Sequence, residues 1–301
     1  MRAPLFVVPV LVSFLAACGG GGGIDMPSAK DFPPPGAPPT TKVVQAGTAA
    51  RVLRFAPKAD AIDKVRADLQ VTSSVSGGGQ SMDVEMGFDL TTTNTVEEVK
   101  PDGSAKVRSV VDDAKVKVGG ELASMGMDSS TISDMVKGIA TIVEVDARGR
   151  LLGMNVEGGG GMMDQLQMGM DKSLSSGFIP LPEEAVGVGA EWDSLGHMDA
   201  MGVKAQLAAR YKLIELNGSE AKLELTMRGK ADAQRAQLPS APVEVDLDKL
   251  DIEGSGTIKI DLERPTRGEA DLTVRVKASM TAQGQSVDTT MTMRMKAAPI
   301  P

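Results

Sequence analysis

The sequence predicts a mainly β protein: a large twisted antiparallel sheet or open half-barrel, with one or two short helices covering one face. Three observations carry this. From about Ala67 onward apolar residues recur at every second position, the period of strands with one buried and one solvated face. Turn signals rich in Gly, Asn and Pro separate these runs at hairpin spacing. Only two stretches shift to a period near 3.6, so helices are few and short.

The chain opens with Arg2 and an apolar run over residues 5–15, preceded by Pro4, interrupted by Pro9 and too short for a spanning helix. Leu15-Ala16-Ala17-Cys18 closes it. This resembles the lipobox of bacterial lipoproteins, which implies a signal peptide over residues 1–17, cleavage before Cys18, and attachment of fatty chains to its sulfur. Cys18 is the only cysteine, so an internal disulfide or a thiolate metal site is excluded. Two or three acyl chains give stable anchoring where one gives marginal binding. In such lipoproteins an aspartate after the cysteine favours the inner membrane. Gly19 stands here, so the resemblance implies an outer-membrane anchor with the body in the periplasm.

Five glycines follow the cysteine, then Pro27, Pro33, Pro34, Pro35, Pro38 and Pro39. Residues 18–50 therefore read as a disordered Gly/Pro-rich tether, extended at about 3.1 Å per residue where proline dominates. Residues 51–301 form the β-rich domain, with two halves meeting near 178–192.

Within that domain Leu69 and Val71 pair with Val84, Met86, Phe88 and Leu90 across Gly77-Gly78-Gly79, and Pro101-Asp102-Gly103 turns the chain towards Val107, Ser109 and Val111. Ser130 to Gly138 carries Ile132, Met135 and Val136 at helical spacing. A hairpin follows: 142–145, the turn Ala147-Arg148-Gly149, then 151–156. Met162, Met163, Leu166, Met170 and Leu174 form one face of a second helix that is expected to lie across the concave side of the sheet. Val203 to Leu213 and Ala221 to Met227 flank Asn217-Gly218-Ser219. A two-residue loop with regular pairing sets Lys212 against Leu223, so a three-residue loop with Leu213 facing Leu223 is expected. Around Gln283-Gly284 a two-residue turn sets Met280 against Val287, Val276 against Met291 and Val274 against Met293, all on one face.

The segment Phe178-Ile179-Pro180-Leu181-Pro182-Glu183-Glu184-Ala185-Val186-Gly187-Val188-Gly189-Ala190-Glu191-Trp192 resembles one that recurs in a family of exported bacterial lipoproteins, a domain family with no assigned activity. There a Pro-x-Pro element precedes a Val-x-Val-Gly-x-x-Trp strand start. The resemblance spans roughly residues 67–296 and brings no functional residues. In overall character the chain is also similar to periplasmic lipoprotein and lipid carriers, whose open half-barrel holds acyl chains, a likeness of fold alone.

Composition narrows the function. The formal charge of −8 and the absence of a basic run argue against nucleic acid and anionic lipid surfaces as partners. Aromatic residues at 3% leave few platforms for sugars, and they supply no girdles for a transmembrane barrel. Methionine is abundant at 19 residues and serves both irregular cores and adaptable apolar surfaces.

A search for chemistry returns little. His197, the only histidine, reads as a solvated loop residue rather than a general base, and one histidine excludes a two-histidine metal site. Gly254-Ser255-Gly256 lacks the nucleophile-elbow context, and the 158–161 glycine run lacks phosphate-loop and dinucleotide spacing. Asp246, Asp248, Asp251 and Glu253 miss calcium-loop spacing, and their alternation suggests the solvent side of an edge strand.

No cofactor and no metal is expected. The expectation is a non-enzymatic, lipid-anchored envelope protein holding lipid or another apolar ligand in a methionine-lined groove of Met162, Leu166, Met170, Met291, Met293 and Met295. The alternative is a structural or assembly lipoprotein that binds an envelope protein.

Overall fold

The computed structural model describes residues 24–124, 128–158, 179–200, 203–237, 244–282 and 284–301. The strands are β1 (Thr40–Gln45), β2 (Thr48–Arg51), β3 (Ile62–Gly77), β4 (Gln80–Val99), β5 (Ala105–Gly120), β6 (Ala140–Val145), β7 (Leu151–Glu157), β8 (Val186–Val188), β9 (Glu191–Ala200), β10 (Val203–Asn217), β11 (Glu220–Ala231), β12 (Gln234–Gln237), β13 (Glu244–Asp261), β14 (Glu269–Ala282) and β15 (Gln285–Pro299). Two short helices, α1 (Glu121–Ser124) and α2 (Ser129–Val136), lie between β5 and β6. One antiparallel sheet runs β1-β9-β10-β11-β13-β14-β15-β3-β4-β5-β6-β7, with β12 continuing the line of β11 beside β13. β2 and β8 make a separate two-strand ladder.

The predicted mainly β architecture is the one observed, and the alternation explains it. Inward side chains of most strands merge in a single apolar core that runs from Leu69 and Phe88 through Leu272 and Leu223 to Trp192. The outward side chains form rows of alternating sign across the strands: Arg228 opposite Glu253 opposite Arg275, and Lys230 opposite Asp251 opposite Lys277. Asp271, Lys296 and Asp68 repeat the pattern across β14, β15 and β3. Opposite charges in cross-strand pairs each contribute a few tenths of a kcal/mol.

The hairpin register expected around Gln283-Gly284 is the one formed, with Val276 opposite Met291, and the strands expected to pair across the Gly77-Gly78-Gly79 turn do so, with Leu69 opposite Phe88. Leu213 does face Leu223, but by another route. Asn217 pairs with Glu220, so the loop has two residues with Gly218 at φ +59, and a bulge at Ile214 restores the apolar phase. The carboxylate cluster is also placed differently from the expectation. β13 is interior to the sheet, and a bulge at Asp248 carries the alternation from Val245 and Leu247 to Leu250 and Ile252.

Gly254 and Gly256 sit on the inward face of β13, opposite Val274 and Leu272. A Cβ on Gly256 would lie 1.7 Å from the Asp271 carbonyl oxygen, so the backbones approach there more closely than any side chain permits. Glycine at such points lets a sheet bend sharply. The curl leaves β1 and β7 as the terminal strands, and two connecting segments span the seam at one end. The Phe55 and Leu181 amides donate to the carbonyls of Ala147 and Arg148 in the β6–β7 turn. Arg148 also donates to the Leu181 carbonyl and, at 2.8 Å, to Thr41 Oγ1 of β1. Arg54 donates to the Pro182 and Glu183 carbonyls. Its pKa is lowered, first by desolvation and then by neighbouring Arg148.

Helix α2 forms where Ile132 and Val136 share a face, and it is N-capped by Asp128, whose carboxylate accepts from the Ser130 amide. It covers the length of β5 that β6 leaves unpaired: the Val116 amide donates to Ser133 Oγ, and Val111 exchanges backbone bonds with Gly138 and Ile139. The second expected helix, on Met162, Leu166 and Met170, lies outside the described residues.

The tether expectation needs correction. Residues 24–51 are built into the body: Ile24 and Phe32 are buried, β1 pairs with β9, and β2 pairs with β8. Ile24, ahead of the prolines, and Phe32, between Pro27 and Pro33, supply burial despite the Gly/Pro-rich composition. In the sheet, the run β3 to β7 joins the later strands where β15 lies against β3.

Candidate functional site

The inward face of β14, β15, β3 and β4 is where the described part of the methionine groove falls. On β15 Met295 lies between Leu272 and Leu69, Met293 between Val274 and Val71, and Met291 between Val276 and Ser73. Met293 is core, only 8% exposed. Met291 and Met295 are half-buried and border it. Cys18, Met162, Leu166 and Met170 lie outside the described residues.

The same strands add residues that the sequence reading did not select. Towards the β14–β15 and β3–β4 turns, Met280, Val276, Ala278, Val75 and Met82 are all half-buried on the inward side, where deeper rows are closed. Ser73 stands among them, opposite Met291 on one side and Val84 on the other. It is 6% exposed, and its Oγ has no hydrogen-bond partner among the described residues. A buried hydroxyl without a partner costs on the order of 1–3 kcal/mol. The usable signal in the sequence was register: Met280 and Met82 follow the same alternation as Met291, and Ser73 interrupts an apolar series of Leu69, Val71 and Val75.

The remaining candidates have structural roles. His197 is on β9, not in a loop, and is half-buried on the outward side. Its Nε2 lies 2.7 Å from the Pro33 carbonyl oxygen, and its ring is 5.8 Å from that of Phe32. A carbonyl only accepts, so Nε2 carries the proton. Asp246 pairs with Arg235, Asp248 accepts from Thr281, and Lys249 contacts Asp251. Among the described residues no group of His, Cys, Asp and Glu is arranged to hold a metal.

A depression of about 650 Å³ lies on the outward face, over the rows of Lys222, Lys259 and Lys296. Its charges satisfy one another: Lys259 bridges Glu220 and Glu269, Lys222 meets Glu215, and Lys296 meets Asp271. Trp192 closes the core beside the seam with 0% exposure, donating from Nε1 to the Pro180 carbonyl at 3.0 Å and stacking on Tyr211 at 5.5 Å.

No protein-family model matches the chain, and no curated protein does. Among solved structures it is similar at 10% identity and a TM-score of 0.21 to DynF from the dynemicin biosynthesis pathway of Micromonospora chersina, over 84% of this chain and 87% of that one. It is similar at 8% identity and a TM-score of 0.21 to the translocator domain of the autotransporter NalP from Neisseria meningitidis, over 79% of this chain and 89% of that one. Likeness at this level carries no argument about function.

Proposed function

We propose that this is a non-enzymatic lipoprotein of the cell envelope, anchored through Cys18 to the periplasmic side of the outer membrane, whose inward sheet face holds a lipid or another apolar ligand. The observation that carries the ligand reading is the Ser73 hydroxyl, without a partner among the described residues, on the face that also carries half-buried Met82, Met280 and Met291. A polar atom buried without a bond on an apolar face suits a ligand with a long apolar part and one hydrogen-bonding group. Thioether side chains adapt to chains of differing shape.

The test is purification of the full chain from membranes in gentle detergent, with mass spectrometry of small molecules released on denaturation. Co-purifying lipid that falls several-fold in Ser73→Val and Met291→Ala supports the reading. Lipid-free protein, or retention that both substitutions leave unchanged, overturns it. Ser73→Val removes an unsatisfied hydroxyl, so it is expected to leave the empty protein as stable or more so. A lost ligand is then not a lost fold.

A second reading, assembly with an envelope protein, is favoured by the terminal strands of the sheet. Leu152 on β7 is 54% exposed, and Val44 on β1 is also exposed. Cross-linking from position 152 in intact cells tests it: one stoichiometric protein adduct supports it, and none removes it.

A further inference from the structure

The chain just beyond the glycine run does not lead away from the body; it lies down on it. On β10 the inward positions are Ala205, Leu207, Tyr211 and Leu213, so alternation turns Ala208 outward. Ala208 is nevertheless fully buried, because Ile24 and Phe32 pack on it, with Met26 and Leu195 alongside. His197 of β9 holds the Pro33 carbonyl on the same outward side. Near Ile24, Arg210 grips Asp193 with two hydrogen bonds of 2.7 and 2.9 Å, and Asp25 adds to the negative charge around the guanidinium. Three apolar contacts and one histidine bond therefore fix residues 24–33 to the outer surface of β9 and β10.

That docking sets the reach of anything attached at Cys18. Only Gly19, Gly20, Gly21, Gly22 and Gly23 separate Cys18 from Ile24. Fully extended, six Cα steps span at most about 20 Å. The body is much larger than its leash. The sixteen-residue β3 alone is about 50 Å long at 3.3 Å per residue, and β4 stands six strands from β10 in the sheet, on the order of 29 Å along its surface.

We infer that the outward face of β9 and β10, with residues 24–39 laid over it, is the flank of this protein that faces a lipid bilayer, held within about 20 Å of the headgroups. The inference rests on the acylation of Cys18 proposed above. The partner is the bilayer that receives the acyl chains. The flank's exposed segment offers no electrostatic attraction: Asp25 and Asp31 outweigh Lys30, and Pro34, Pro35 and Gly36 are uncharged. Helix α2 and the β3–β4 turn, on strands remote from β10, are then the parts turned towards the aqueous compartment.

The experiment uses the full, membrane-purified chain in vesicles of phosphatidylethanolamine and phosphatidylglycerol, three to one, carrying a headgroup energy-transfer acceptor. Single donors are placed by Lys30→Cys, Gln80→Cys or Asp134→Cys, all exposed positions, the native thiol being blocked by its acyl chain. Transfer several-fold stronger from position 30 than from 80 or 134 is the expected result. Inserting about twenty Gly/Ser residues between Gly23 and Ile24, which lengthens the leash by tens of ångströms, is expected to abolish that contrast. Equal transfer from all three positions in protein whose intact mass shows acylation overturns the inference alone, as does a contrast that survives the insertion. Protein whose mass shows no acyl chains overturns the anchor reading instead.

Discussion

Trp192→Phe is the substitution for which the structure gives the sharpest expectation. The indole is wholly buried and bonded to the Pro180 carbonyl, which belongs to the segment spanning the seam. Phenylalanine keeps a ring against Tyr211 but carries no donor. The orphaned carbonyl costs about 1–3 kcal/mol. The smaller ring leaves roughly 40 Å³ of space, about 1 kcal/mol at ~24 cal/mol per Å³. The expected loss is therefore ~2–4 kcal/mol. Urea unfolding followed by far-ultraviolet circular dichroism reads it directly, with Val44→Ala, at an exposed position, as a control expected to shift stability by less than about 0.5 kcal/mol. Hydrogen exchange reads the mechanism: the Leu181 amide, bonded to Arg148 across the seam, is expected to lose protection before the Leu223 amide deep in the sheet. A loss no larger than the control's, or a uniform loss of protection, refutes the idea that Trp192 holds the seam.

Gly256→Ala is expected to destabilise by more than an ordinary Gly→Ala change, because its Cβ would collide with the Asp271 carbonyl; a neutral result by urea unfolding removes the close approach as the cause of the curl. Asp63→Ala breaks a buried carboxylate's bonds to Arg264 and Thr266, and since Arg264 is 40% exposed and rehydrates, the expected cost is ~2–3 kcal/mol, at or below the low end for a buried pair. Asp89 is held below the ordinary carboxylate range, chiefly by the hydrogen bond from Arg66. Its folded pKa lies under its unfolded one, so its stabilisation is present above the unfolded value near 3.9 and is lost as pH falls through the folded value. Asp102 and Asp128, each held down first by a serine hydroxyl, act with the same sign. Carboxyl titration by NMR checks this: Asp89 is expected to titrate below 3.9, and in Arg66→Gln its midpoint is expected to move up.

The strand pairs were legible because the alternation and the turn residues are local and agree with each other. Met280 opposite Val287 follows from counting back from Gly284. What was hidden is whatever depends on distant chain. The bulges at Ile214 and Asp248 leave no residue signature, since Ile and Asp serve equally in regular strands. Burial of Ile24 and Phe32 was masked by the surrounding glycine and proline, which describe the backbone's freedom but not the Ala208 surface far along the chain. His197 read as a loop residue, yet β9 continues through it and pairs it with Gln206. Within the candidate site Met291 was within reach of periodicity, but Ser73 gained meaning only when β15 proved to lie against β3.

That last pairing has a consequence for assembly. β3 and β14 each offer a raw edge until β15 slots between them, and the edges come from segments separated by most of the chain. A strand arriving from a neighbouring copy satisfies the same ladder as well as the chain's own does. Crowded, half-assembled molecules thus have a built-in route to exchanging β15 and linking into open-ended files.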